Sequence, residues 1–192
     1  MNRTNTLLSI FLAMLFAFVN VNVSVGKDVS INLLPTFLGY LILLVIYSRL
    51  EMTSARSRSW VRVSAAFSVV MFVLSFFHEK LPGGNGTYTV LRIVLMLVCW
   101  YLWYDVVKQV GAILLKVGIE EMQKLSYVLE GISLMYIIQI FRLFLTEKFV
   151  LVLLGGFYLV SLMYALISFE QIIKSYRKTM KQRKVQEAHT HS

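Results

Sequence analysis

Phe149-Val-Leu-Val-Leu-Leu-Gly-Gly-Phe-Tyr-Leu-Val-Ser-Leu-Met-Tyr-Ala-Leu-Ile-Ser-Phe169 runs for 21 residues without a charge. A hydrocarbon core of ~30 Å needs about 20 apolar residues in a helix. In lipid, a helix satisfies every backbone donor and acceptor within its own segment. The stretch therefore reads as a membrane-crossing helix. Working outward, similar runs occur at 6–25, 31–50, 61–77, 90–110 and 125–146. The expected fold is all-α: a polytopic transmembrane helix bundle with six predicted spans, both termini cytoplasmic. Strands are not expected, because no ten-residue alternating pattern of a membrane barrel is visible.

Composition agrees. The chain has 192 residues, of which 58% are apolar and 15% charged, with a mean hydropathy of +0.71. A soluble domain averages ~45–50% apolar. The net charge of +9 does not point to nucleic acid, because the basic residues lie between apolar segments rather than on one soluble face. With the N terminus inside, fourteen Lys and Arg fall on the cytoplasmic side and five, Lys27, Lys80, Arg92, Arg142 and Lys148, on the outer side. That bias supports inside ends. Residues 1–175 are expected to form one transmembrane domain and residues 176–192 a basic cytoplasmic tail. Arg3 and the run Leu7–Phe18 have the outline of a signal peptide, but no Ala-x-Ala site follows, so the segment is read as a span.

The connections differ in kind. His78–Thr87 holds Pro82, Gly83, Gly84, Asn85 and Gly86 and reads as a flexible outer loop. Thr146-Glu147-Lys148 is short enough to force helices five and six into a tight antiparallel pair. From Asp105 to Lys124, apolar residues persist at Val106, Val110, Ile113, Leu114 and Val117, so helix four is expected to continue as an amphipathic segment at the membrane surface.

Where the second run opens, Ile31-Asn32-Leu33-Leu34-Pro35-Thr36-Phe37-Leu38-Gly39-Tyr40 resembles a segment of an uncharacterised family of small polytopic membrane proteins from Gram-positive bacteria. Thr36 stands where that family's pattern has an acid. The resemblance implies a bacterial plasma membrane and brings no activity with it. Physically, Asn32 and Pro35 suit a helix start, and Asn20, Asn22, Asn32, Thr36 and Tyr40 share a depth at which they could line an outer polar pocket.

Deeper polar groups carry more weight, since an ionisable side chain at mid-bilayer costs at least ~2.5–3.5 kcal/mol. The intramembrane candidates are Glu130, Ser133, Tyr136, Gln139, Arg142, Asp105 and Arg92. Glu130 to Arg142 step every three residues along helix five, and Glu130 is the expected functional carboxylate. Small residues mark helix contacts: Ala13 and Ala17 for a partner chain or a second copy, and Gly39, Ser161 and Ala165 for close packing. Trp100, Trp103 and Tyr104 read as an interfacial anchor on one face of helix four. In the tail, Lys174, Arg177, Lys178, Lys181 and Lys184 would present a stripe to anionic headgroups.

No Gly-x-Ser-x-Gly, His-Glu-x-x-His or phosphate-binding glycine loop occurs, and the histidines are His78, His189 and His191. With one cysteine, Cys99, no metal site or cofactor is expected. The expected function is a non-enzymatic partner, sensor or accessory subunit with a lipid bilayer and a membrane protein or a second copy as partners. The alternative is a small-solute binding or transport subunit similar to those of energy-coupling-factor transporters, whose first helix uses an Ala-x-x-x-Ala face like Ala13–Ala17.

Overall fold

The computed structural model describes residues 3–19, 22–25, 29–32, 37–49, 55–74, 84–145 and 147–190. Six helices follow one another: α1 (Arg3–Phe18), α2 (Phe37–Arg49), α3 (Ala55–Leu74), α4 (Gly84–Leu115), α5 (Met122–Arg142) and α6 (Lys148–Thr190). Between α1 and α2 lies an antiparallel hairpin, β1 (Asn22–Val25) and β2 (Val29–Asn32), in which Asn22 faces Asn32 and Val25 faces Val29.

Each helix packs on its neighbours in sequence, and α1 closes on α6. One contact characterises each interface. Gly39 of α2 seats against Ala13 and Ala17 of α1, Phe37 of α2 packs on Phe72 of α3 at 5.1 Å, and Trp60 of α3 on Tyr101 of α4 at 5.3 Å. Trp100 of α4 donates to Ser133 Oγ of α5 at 2.9 Å. Gly131 of α5 seats against Ser161 and Ala165 of α6, and Phe169 of α6 returns to Phe11 of α1 at 6.1 Å. The two glycines matter because a Cβ on either would come within 3 Å of the facing helix, so only Gly permits these backbone approaches.

Helical periodicity explains which faces turn inward. On α1 the buried side chains Leu7, Ile10, Met14 and Ala17 recur at three- and four-residue steps, whereas Leu8 and Leu12 are exposed. The same alternation leaves Val152, Phe157 and Val160 of α6 outside and Ala165, Phe169 and Ile172 inside. Such an exposed apolar belt would drive aggregation in water. It suits contact with lipid.

Among the described residues four helices are long and apolar enough to cross a membrane: 57–74, 86–115, 122–142 and 148–183. The first two expected spans divide differently. Helix α1 stops at Phe18 and α2 begins at Phe37, giving 16 and 13 residues, and the expectation of no strands gives way to the hairpin. Its cause is visible in Val19-Asn-Val-Asn-Val-Ser-Val25, a period-two pattern of β-branched residues. Gly84 to Thr87, read as loop, form the first turn of α4. The extension of α4 packs inward, with Val106, Val110, Ile113, Leu114 and Val117 all buried. Helix α6 continues unbroken past residue 175 to Thr190, and Tyr176 is buried.

The continuation of α6 is held by the turn between α4 and α5. Ser175 Oγ donates to Glu121 Oε1 at 2.8 Å, and Arg183 Nη2 to the Val117 carbonyl at 2.7 Å. Gly118, at φ +67°, makes the turn, a backbone region that favours glycine.

Candidate binding pocket

Polar side chains from α2, α3, α4, α5 and α6 gather at the end of the bundle that bears the hairpin. Tyr40 comes from the first turn of α2, and Tyr136 from the inward stripe of α5 after Val128 and Ile132. Their hydroxyls lie 3.0 Å apart and share a buried hydrogen bond. One turn further along α5, Gln139 Nε2 donates to the Tyr158 hydroxyl at 3.1 Å. Tyr158 in turn donates to the Phe18 carbonyl at 2.7 Å, satisfying an acceptor that the end of α1 leaves open. The Phe18 ring sits 5.3 Å from Trp103 and 5.5 Å from Tyr136.

A cavity of about 220 Å³ adjoins this network. Its polar lining is Tyr40, Ser68, Tyr88, Arg92, Cys99, Tyr136 and Gln139, and its apolar lining includes Phe18, Met71, Phe72, Leu95 and Met96. Tyr40, Ser68, Cys99 and Tyr136 are buried, Tyr88 and Gln139 half-buried, and Arg92 exposed. The arrangement is a hydroxyl-rich floor with a guanidinium at the rim. Among the described residues no acidic side chain lines the cavity. Ser68 Oγ donates to the Ser64 carbonyl at 2.6 Å and is also hydrogen-bonded to the Cys99 thiol.

The structure brings together residues that the sequence placed in separate groups. Tyr40, from the outer-pocket set, meets Tyr136, Gln139 and Arg92, from the intramembrane set. Of the other outer-pocket candidates, Asn20 and Thr36 lie outside the described residues, and Asn22 and Asn32 pair in the hairpin with side chains outside the description. The line along α5 does not hold one face. Glu130 is exposed on the outside of the bundle, where it accepts from Ser126 Oγ at 2.9 Å, and Arg142 is exposed at the helix end. The expected functional carboxylate is thus not in the pocket. A three-residue step falls ~60° short of a full turn, so Glu130 and Tyr136, two steps apart, cannot share a side.

Asp105 is half-buried toward the other end of α4, near Tyr47, and its Oδ2 has no hydrogen-bond partner among the described residues. Ala13 and Ala17 are buried against Gly39, so this small-residue face serves the chain's own α2 rather than a partner. Gly39, Ser161 and Ala165 do make close helix contacts, and Gly131 completes the second of them. The aromatic anchor divides: Trp103 is buried in the core, while Trp100 and Tyr104 are exposed. In the basic stripe, Lys174 pairs with Glu170 at 2.8 Å; Arg177, Lys178 and Lys181 are exposed and line a groove with Thr4 of α1. The Lys184 side chain is outside the description.

Ser68, Tyr88, Met96 and Cys99 were not foreseen as site residues. A signal existed on α4: Tyr88, Arg92, Met96 and Cys99 recur at four, four and three residues, continuing the buried stripe of Trp103, Val106 and Val110. The pocket is where that stripe becomes polar. Among the described residues no group of His, Cys, Asp and Glu could hold a metal ion. Compared with family models, curated proteins and solved structures, the chain matches none of them.

Proposed function

We propose that the protein is a non-enzymatic integral membrane protein of the bacterial plasma membrane, with both termini cytoplasmic, that binds a small solute and acts as a sensor or accessory subunit. The observation that carries this reading is the cavity itself: hydroxyl, amide and guanidinium groups from α2, α3, α4 and α5 converge on one space beside apolar walls. A few convergent polar groups in an otherwise apolar cavity are the usual form of a small-molecule site.

A thermal-stability screen of the purified protein against small polar and amphipathic solutes tests the reading. Ligands should raise the unfolding temperature of the parent but not of Met96→Trp, which fills the cavity. They should still stabilise Leu97→Trp, whose position faces outward. Solutes that stabilise all three proteins equally, or none that stabilise the parent, would reject the pocket as a binding site.

A further inference from the structure

The charge of the pocket specifies its ligand further than its shape does. Arg92 is its one formally charged lining residue among those described. The ion pairs among the described residues are Lys124 with Glu121 and Lys174 with Glu170, both near the opposite end of the bundle. Arg92 takes part in neither. Asp105 lies thirteen residues along α4, a rise of ~20 Å, and Glu130 is on the outer face of α5. Arg92 therefore sits six residues into the span that begins at Gly86, with no ion-pair partner among the described residues. A cation there is costly unless it meets water or an anion, and guanidinium matches a carboxylate with two parallel hydrogen bonds.

Beside Arg92 the lining is apolar and aromatic at Phe18, Phe72 and Met96, and it includes the paired hydroxyls of Tyr40 and Tyr136. The cavity, about 220 Å³, falls below the ~300–1,000 Å³ of drug-sized sites. We infer that the pocket binds a small aromatic carboxylate, its carboxylate on Arg92, its ring between the apolar walls and any distal polar group at Tyr40 and Tyr136. This rests on the reading of the cavity as a solute site. An anionic lipid headgroup offers similar charge but carries two acyl chains, for which the buried hydroxyl floor has no use.

The test is calorimetric titration of the full chain in nanodiscs of phosphatidylcholine, using benzoate, 4-hydroxyphenylacetate and indole-3-acetate, each against its own amide. At least one acid should bind more tightly than its amide by on the order of tenfold, the effect of one charge-assisted contact. Arg92→Gln should bring acid and amide together, and Arg92→Lys should keep part of the preference. Arg92 is exposed and has no hydrogen-bond or ion-pair partner among the described residues, so both variants are expected to fold, as circular dichroism would verify. Acid and amide binding equally would overturn the carboxylate assignment and leave the pocket standing. Binding of neither by any pair would overturn the assignment, and the solute screen above would then decide the pocket's fate separately. Loss of acid binding in nanodiscs containing phosphatidylglycerol, with that lipid retained in native mass spectra of the parent and absent from Arg92→Gln, would make the lipid headgroup the occupant and overturn the proposal.

Discussion

At the scale of single residues, the two glycine notches and the carboxylate on α5 separate what spacing can reveal from what it cannot. A Cβ at Gly39 would meet the Ala13 carbonyl oxygen at 2.5 Å and the Ala17 nitrogen at 2.7 Å, and one at Gly131 would meet Ala165 and Ser161 at 2.9 Å, whereas Gly155 and Gly156 have open space. Because the obstacles at Gly39 are backbone atoms, they cannot swing aside. Gly39→Ala and Gly131→Ala should each lower stability by about 1–3 kcal/mol, the cost of overpacking. Gly155→Ala should leave it unchanged or slightly raised, since Ala favours the helix. Thermal unfolding of the three variants in detergent measures this; equal behaviour would remove the notches from the account. Ala13, Ala17, Gly39, Ser161 and Ala165 were legible as contact residues because small side chains in apolar runs have few other uses. Their partners were not, since Gly39 lies 26 residues from Ala13 and only the fold joins them. Glu130 shows the opposite limit. Its type and depth marked it, but its direction around the helix places it outside the bundle, and Glu130→Gln should leave ligand affinity at the pocket within twofold of the parent. A larger loss would place Glu130 back in the binding machinery.

At the scale of elements, α3 to α6 follow from apolar run length, while the α1–α2 region does not. Hydropathy sums the valines of Val19–Val25 into the same score a helix would give, but their period of two belongs to a strand. The pocket was half legible for a related reason. Tyr40, Arg92, Tyr136 and Gln139 stand out as polar residues in apolar runs, yet Tyr40 and Tyr136 are 96 residues apart when they bond. The contact of the α4–α5 turn with α6 carries its own prediction. Burial disfavours the charged form of Glu121, but hydrogen bonds from Lys124 and Ser175, together with the Lys124 charge, outweigh it and hold the carboxyl below its usual value of 4.5. A depressed carboxylate contributes stability that is fully present above its unfolded pKa and is lost as pH falls through the folded one. The hold on α6 should therefore be complete above pH 4.5 and weaken on further acidification. Spin labels at Glu120 and Gln182 should report a narrow distance distribution at pH 7 that broadens below that value. In Glu121→Gln the distribution should not respond to pH, and a parent that is equally insensitive would exclude this contact as the acid-sensitive element.

At the scale of the whole molecule, the question is how six helices of unequal length meet one bilayer. Helices α1 and α2, with 16 and 13 residues, measure ~24 and ~20 Å, short of a ~30 Å core. The open edges of the hairpin require headgroups or water rather than lipid tails, so the hairpin belongs outside the core and does not lengthen either helix's reach. Whether or not α1 and α2 count as full spans, they leave and return to the same side, and the orientation of α3 to α6 is unaffected. Single cysteines in a Cys99→Ala background resolve both points. With inside ends and six crossings, cysteines at Ser30 and Asn85 should react with an impermeant maleimide on intact cells. Those at Asn5 and Glu120, both exposed, should react only after permeabilisation. If Ser30 joins the protected group while Asn85 stays reactive, α1 and α2 form a re-entrant pair and four helices cross. If Asn85 is itself protected, the inside-ended orientation fails.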